Sequence, residues 1–198
     1  MRKLFTLFLL VGFLAHASAN SSCKPCADII FRENKGQWQS HILYKAEIKN
    51  GAIFFEQNQI TFNLFDTRDI TRIKGDHHKL ENYKQTIDYT LHFHAFRMKF
   101  ENAAVPEATG TDAIQEYFNY FIGSDPSKWA SRVRGFHEVN YQNLYNGIHL
   151  NIASKDGSLK YVYEVEKGTD VSQLKITFEG TNGISISANG NLEIKTAV

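Results

Sequence analysis

The fold turns on one stretch: Leu43-Tyr44-Lys45-Ala46-Glu47-Ile48-Lys49-Asn50-Gly51-Ala52-Ile53-Phe54-Phe55-Glu56-Gln57-Asn58-Gln59-Ile60-Thr61-Phe62-Asn63-Leu64-Phe65. From Leu43 to Ile48 the chain alternates. Leu43, Lys45 and Glu47 are set against Tyr44, Ala46 and Ile48, the two-residue period of a strand with one face toward a core. Asn50-Gly51 reads as a tight hairpin turn, because both residues tolerate positive φ. Ile53-Phe54-Phe55 follows, a second turn falls near Gln57 to Gln59, and Ile60, Phe62 and Leu64 resume the alternation to Phe65. Three strands joined by two short turns make an antiparallel meander.

The same texture extends both ways. Ile29-Ile30-Phe31 reads as a strand before the meander. After it come Ile87 to Phe93, Ala95 to Phe100 (Phe96, Met98 and Phe100 on one face), the aromatic run Tyr117 to Ile122, and Phe136 to Tyr141. Ile148 to Ile152, Leu159 to Val165, Leu174 to Phe178, Ile184 to Ile186 and Leu192 to Ile194 complete the series. Asn146-Gly147, Asp156-Gly157, Gly168, Gly180, Asn182-Gly183 and Asn189-Gly190 separate these last runs with residues suited to tight turns. Asp125-Pro126-Ser127-Lys128-Trp129 reads as one short helical turn, with Asp125 as N-cap and Pro126 in the first helical position. The expectation is an all-β, antiparallel β-sandwich-like domain of about a dozen short strands. One single domain spans 30–198, with a charged, solvated loop at 66–86, where Arg68, Asp69, Arg72, Lys74, Asp76, Lys79, Glu81 and Lys84 crowd together.

Met1 to Ala19 has the parts of a secretory signal peptide. Arg2 and Lys3 open it, an apolar run spans Leu4 to Leu14, and Ala17-Ser18-Ala19 supplies a cleavage pattern before Asn20. The apolar run is shorter than the roughly 20 residues a bilayer crossing needs. The expectation is therefore a secreted or cell-surface protein with no transmembrane segment once the signal is removed. Segment 20–29 holds the two cysteines, Cys23 and Cys26. In an oxidising compartment they read as a small local disulfide or as links to cysteines outside the chain. A thioredoxin-like pair would need a preceding strand and a following helix, whereas no strand precedes this pair and Ile29-Ile30-Phe31 after it reads as a strand.

The 198 residues carry 22 Lys plus Arg against 21 Asp plus Glu, a formal charge of +1. So even a balance argues against nucleic acid as partner, since such proteins concentrate positive charge. Hydrophobic residues at 42% and charged residues at 22% exclude a disordered chain.

Few constellations suggest chemistry. His92 and His94, two apart on an expected strand with His77 and His78 before them, are the metal-ligand candidates, but spacing fixes no third ligand. Glu164 and Glu166 invite a paired-carboxylate reading, yet such pairs flank a scissile bond and normally come from different strands. Alternation accounts for them: Tyr161, Tyr163 and Val165 face one way, Val162, Glu164 and Glu166 the other. No catalytic residue and no cofactor is expected. Tyr117, Tyr120, Trp129, Tyr141 and Tyr145 are candidates for a stacking platform, against the alternative that they fill a core.

Several strings resemble one known family. Glu33-Asn34-Lys35-Gly36-Gln37-Trp38 with Leu43-Tyr44-Lys45-Ala46 is similar to the opening of an uncharacterised N-terminal all-β domain of large secreted Bacteroidetes-type proteins. His94 to Phe100 is similar to its central strand. The most specific string is Asn119-Tyr120-Phe121-Ile122-Gly123-Ser124-Asp125-Pro126-Ser127-Lys128-Trp129, continued by Val139, Tyr141, Leu144-Tyr145 and Gly147-Ile148. Leu159-Lys160-Tyr161, Phe178-Glu179-Gly180 and Gly190-Asn191-Leu192 resemble its closing hairpins, while His149 to Ser154 departs from its pattern. In that family the domain often precedes SBBP-type β-propeller repeats and a type IX secretion sorting domain. The resemblance implies an all-β module and carries over no catalytic residue. The functional expectation is a non-catalytic module for adhesion, interaction or assembly, the N-terminal part of a longer protein, whose partner is an extracellular or surface protein or a glycan. The alternative is a carbohydrate-binding or polysaccharide-degradation accessory domain.

Overall fold

The computed structural model describes residues 28–80, 90–104 and 106–198. In chain order the strands are β1 (Phe31–Glu33), β2 (Tyr44–Ile48), β3 (Gly51–Phe55), β4 (Gln59–Phe65), β5 (Phe93–Phe100) and β6 (Glu107–Tyr120). They continue as β7 (Ala130–Tyr145), β8 (Ile148–Lys155), β9 (Ser158–Val165), β10 (Ile176–Glu179), β11 (Gly183–Ile186) and β12 (Leu192–Lys195). Helix α1 (Thr67–Leu80) follows β4, and single 3-10 turns occupy Pro126–Lys128 and Val171–Gln173. Antiparallel strands dominate the described residues, so the class is all-β despite α1.

Ten strands form one antiparallel sheet in the order β10-β5-β4-β3-β2-β1-β7-β8-β9, with β6 also paired to β7; β11 and β12 pair only with each other. The register of β7 explains how. Phe136 lies opposite both Phe31 and Ala113, and Val139 lies opposite both Gly110 and Ile152. Strands β1 and β8 therefore follow one another along one side of β7, while β6 runs along its other side. Two walls spring from that single strand, and the sheet curls into a sandwich-like half-barrel. The seam is tight at Gly110, where an added Cβ would lie 2.5 Å from the Phe136 ring.

The core fills the space between the walls. Tyr44, Ala46 and Ile48 all pack on it, as their alternation requires. Phe31 and Phe55 meet edge to face at 5.0 Å. Ile60, Met98 and Phe100 from the first wall pack with Tyr141, Ile148, Leu150 and Ile152 from the second. Each fully buried large side chain contributes roughly 1.5–3 kcal/mol. Tyr141 has no exposed surface, and its hydroxyl donates to the Glu56 carbonyl across the core at 2.9 Å. Tyr145 likewise donates to the Lys175 carbonyl at 2.9 Å.

Three expectations are corrected. The first hairpin turn is Lys49-Asn50, since Ile48 pairs with Gly51. Gly51 belongs to β3, where a Cβ would collide with the Asn63 carbonyl; close approach, not a positive-φ turn, calls for glycine there. The stretch read as a charged loop, 66–86, opens instead as α1. Asp66 caps it by accepting from the Arg68 backbone N–H at 2.8 Å, and Asp69 stands in its first turn. A helix tolerates that charge density because its outward face is solvated. Finally, residues 90–92 are not strand: β5 begins at Phe93, and 81–89 lie outside the described residues.

Candidate functional site

The end of β6 and its connection to β7 carry several exposed apolar side chains. Asn119 at the end of β6 accepts from the Arg132 backbone N–H at 2.9 Å, which holds Arg132 at φ +54°. Asp125 accepts from the Ser127 N–H at 3.0 Å and its hydroxyl at 2.7 Å, forming the expected capped turn. Those two bonds also keep the Asp125 carboxyl below the usual carboxylate range. The Trp129 indole N–H donates to the Gly123 carbonyl at 3.2 Å, and its ring meets Phe121 edge to face at 5.8 Å. The result is an ordered tip whose rings are fixed but uncovered. Tyr117 is 56% exposed, Phe121 60%, Ile122 78% and Trp129 43%. Arg132 lies over the Tyr117 ring at 5.7 Å, adding a cation beside the aromatic surface.

The five platform candidates are thereby divided. Tyr117 and Trp129 stand at this tip. Tyr120 turns to the outer face of the sheet, where its ring meets Trp38 at 5.3 Å and its hydroxyl accepts from Arg32 at 3.2 Å. Arg32 also sits 4.1 Å from the Phe118 ring centroid and 3.0 Å from Glu47, so Tyr120 serves to clamp β6 onto the first wall. Tyr141 and Tyr145 are core residues, 0% and 3% exposed, and offer no platform. Phe121 and Ile122 were missed as site residues. Their signal was the apolar run 117–122 ahead of a capped turn, which places the run's end in a connection rather than a core.

A second feature is an apolar cleft of about 1350 Å³ where the two walls face each other without closing. Phe62, Phe96, Met98, Tyr161, Tyr163 and Phe178 line it, and the β11–β12 hairpin borders it through Ile184, Leu192 and Ile194. Phe62 and Phe96 stack at 4.6 Å. Burial pushes the Tyr163 hydroxyl up to about 12 and raises that of Tyr161 further, so both remain neutral donors.

The remaining candidates are accounted for by local structure. His92 precedes β5, and both its backbone N–H (2.9 Å) and its Nδ1 (2.7 Å) bind the same Asp69 oxygen, tying α1 to the sheet. That pair of bonds holds the nearly buried Asp69 carboxyl below its ordinary range. His94 lies within β5 opposite Leu64, with a buried Nε2 that has no hydrogen-bond partner among the described residues. Among the described residues, no three His, Cys, Asp or Glu side chains are placed to hold a metal ion. Glu166 lies beyond the end of β9 and faces His149 Nε2 at 3.3 Å, so it does not act with Glu164 as a pair. Met1 to Ala19, Cys23 and Cys26 lie outside the described residues. No described helix is long and apolar enough to cross a membrane.

Compared with known proteins, residues 31–198 match a family described as a domain of unknown function, DUF7948. No curated protein and no solved structure matches the chain.

Proposed function

The chain belongs to the DUF7948 family of domains of unknown function, and we propose that it is a non-catalytic interaction module for adhesion or assembly at the cell surface or in the secreted space. One observation carries this: the β6–β7 tip presents Tyr117, Phe121, Ile122 and Trp129 to solvent on a backbone held by Asn119 and Asp125. Exposed apolar groups gain on burial with little loss of polar hydration, so a tip that exposes several of them reads as a contact surface. The leader Met1 to Ala19 supports export. The likeness of Asn119 to Trp129 to the N-terminal domain of large secreted Bacteroidetes-type proteins supports a place ahead of SBBP-type repeats in a longer protein.

The alternative is glycan binding. It draws on the same tip, because Trp129 and Tyr117 offer ring faces of the kind that stack on sugars, with Arg132 beside them. Glu164 and Glu166 do not join that tip: β8 and the C-terminal half of β7 intervene along the sheet.

The test begins with immunoblots of cell, surface and medium fractions, followed by adhesion assays on cells carrying Phe121→Ser and Ile122→Ser together. The proposed role predicts exported protein and adhesion reduced to the level of cells lacking the gene. Cytoplasmic protein, or adhesion untouched by the double variant, overturns it. A glycan-array signal abolished by Trp129→Ala transfers the function to sugar binding.

A further inference from the structure

The curled sheet leaves three strand edges open, and they are guarded unequally. Strand β6 pairs with β7 through two register shifts, carries Asp112 at φ +53°, and has its Gly110 N–H taken by the Tyr44 hydroxyl at 2.8 Å. Bulges of this kind twist an edge out of pairing. Strand β10 spans only four residues, and its Glu179 is engaged by Lys99 at 2.9 Å. Strand β9 has neither protection. All eight of its residues pair with β8 in one unbroken register from Ser158 to Val165, with no proline. On its other side, no described backbone group bonds it.

Its sequence also complements itself. Lys160 and Glu164 share the outer face, flank Val162 symmetrically, and make no ion pair among the described residues. At about 3.3 Å per residue they stand roughly 13 Å apart, too far to pair with each other. When two β9 strands run antiparallel about a two-fold axis through Val162, Lys160 of each copy falls opposite Glu164 of the other. In the same register Tyr161 faces Tyr163, and Leu159 faces Val165. A shift of one residue loses both ion pairs and places Lys160 opposite Tyr163.

We infer that the partner of this edge is a second copy of the chain, joined β9 to β9 in an isologous dimer with a continuous sheet. The inference goes beyond the role proposed for the β6–β7 tip and uses none of its residues.

Sedimentation equilibrium of the purified chain over about 1 μM to 1 mM tests it. The expected result is a reversible monomer–dimer equilibrium. Lys160→Glu alone sets like charges opposite each other, as does Glu164→Lys alone, and each weakens the dimer about tenfold or more. Mixing the two single variants restores association, because every pair across the axis is then opposite in sign. Circular dichroism melts of both variants should match the parent, since each charge is exposed and unpaired among the described residues. A chain that stays monomeric throughout overturns the inference. So does a dimer that ignores both substitutions, or a mixture that associates no better than either variant alone. Adhesion through the tip is unaffected by these variants, so the two readings fail separately.

Discussion

Tyr141 and Tyr117 occupy facing strands of one hairpin, yet one is wholly buried and the other 56% exposed. The difference lies in what stands across from each. Tyr141 belongs to the C-terminal half of β7, which β8 flanks and the first wall covers; Glu56 reaches its hydroxyl from the far side of the core. Tyr117 pairs with Arg134 at the other end of the hairpin, and both side chains are exposed. Residue type decided neither outcome. Shared secondary structure placed both rings on strands, and the first wall then covered Tyr141 and left Tyr117 open.

The strongest way to break this comparison is to empty both positions. Tyr141→Ala should cost about 3–5 kcal/mol, a cavity-forming loss, whereas Tyr117→Ala should stay within about 0.5 kcal/mol. Thermal melts read both, and equal shifts would mean that the two halves are equally packed. A smaller effect sharpens the seam between the halves. Gly110→Ala pushes a methyl against the Phe136 ring and should cost about 1–3 kcal/mol while leaving the tip rings in place. Loss of stability together with an unchanged Trp129 fluorescence maximum would check it.

The smallest effect is local and depends on pH. Asp69 titrates below its ordinary value because it accepts two bonds from His92. A depressed carboxylate contributes stability above the unfolded-state pKa of about 3.9, and that contribution is lost as pH falls through the folded value. Below about pH 4 the His92 backbone N–H resonance should move toward its solvent-exposed position before the core unfolds. A resonance constant down to global unfolding would remove this tie between α1 and the sheet.

Much of the wall structure was legible in the chain. The inward set Tyr44, Ala46 and Ile48, the face shared by Phe96, Met98 and Phe100, and the capped turn at Asp125 all followed from local rules. Helix α1 did not, although Asp66 and Asp69 supplied a helix start. Its charges masked a weak apolar spacing at Ile70 and Ile73, and its anchor, His92, lies 23 residues away from Asp69 in sequence. The N-terminal half of β6 was hidden for a related reason: Glu107 to Gln115 is mostly polar and alternates weakly, and β7 alone makes it a strand.

By itself, then, the sequence determined the all-β class, the period-two faces and the turn chemistry, because each depends on steric rules acting within a few residues. It also supplied the self-complementary run from Leu159 to Val165. Only the tertiary structure decided that β7 serves two walls, that Tyr141 is core while Trp129 is surface, and that β9 ends as an open edge. Burial is a property of what lies across the gap, and in this protein the covering residues come from strands far away in the chain.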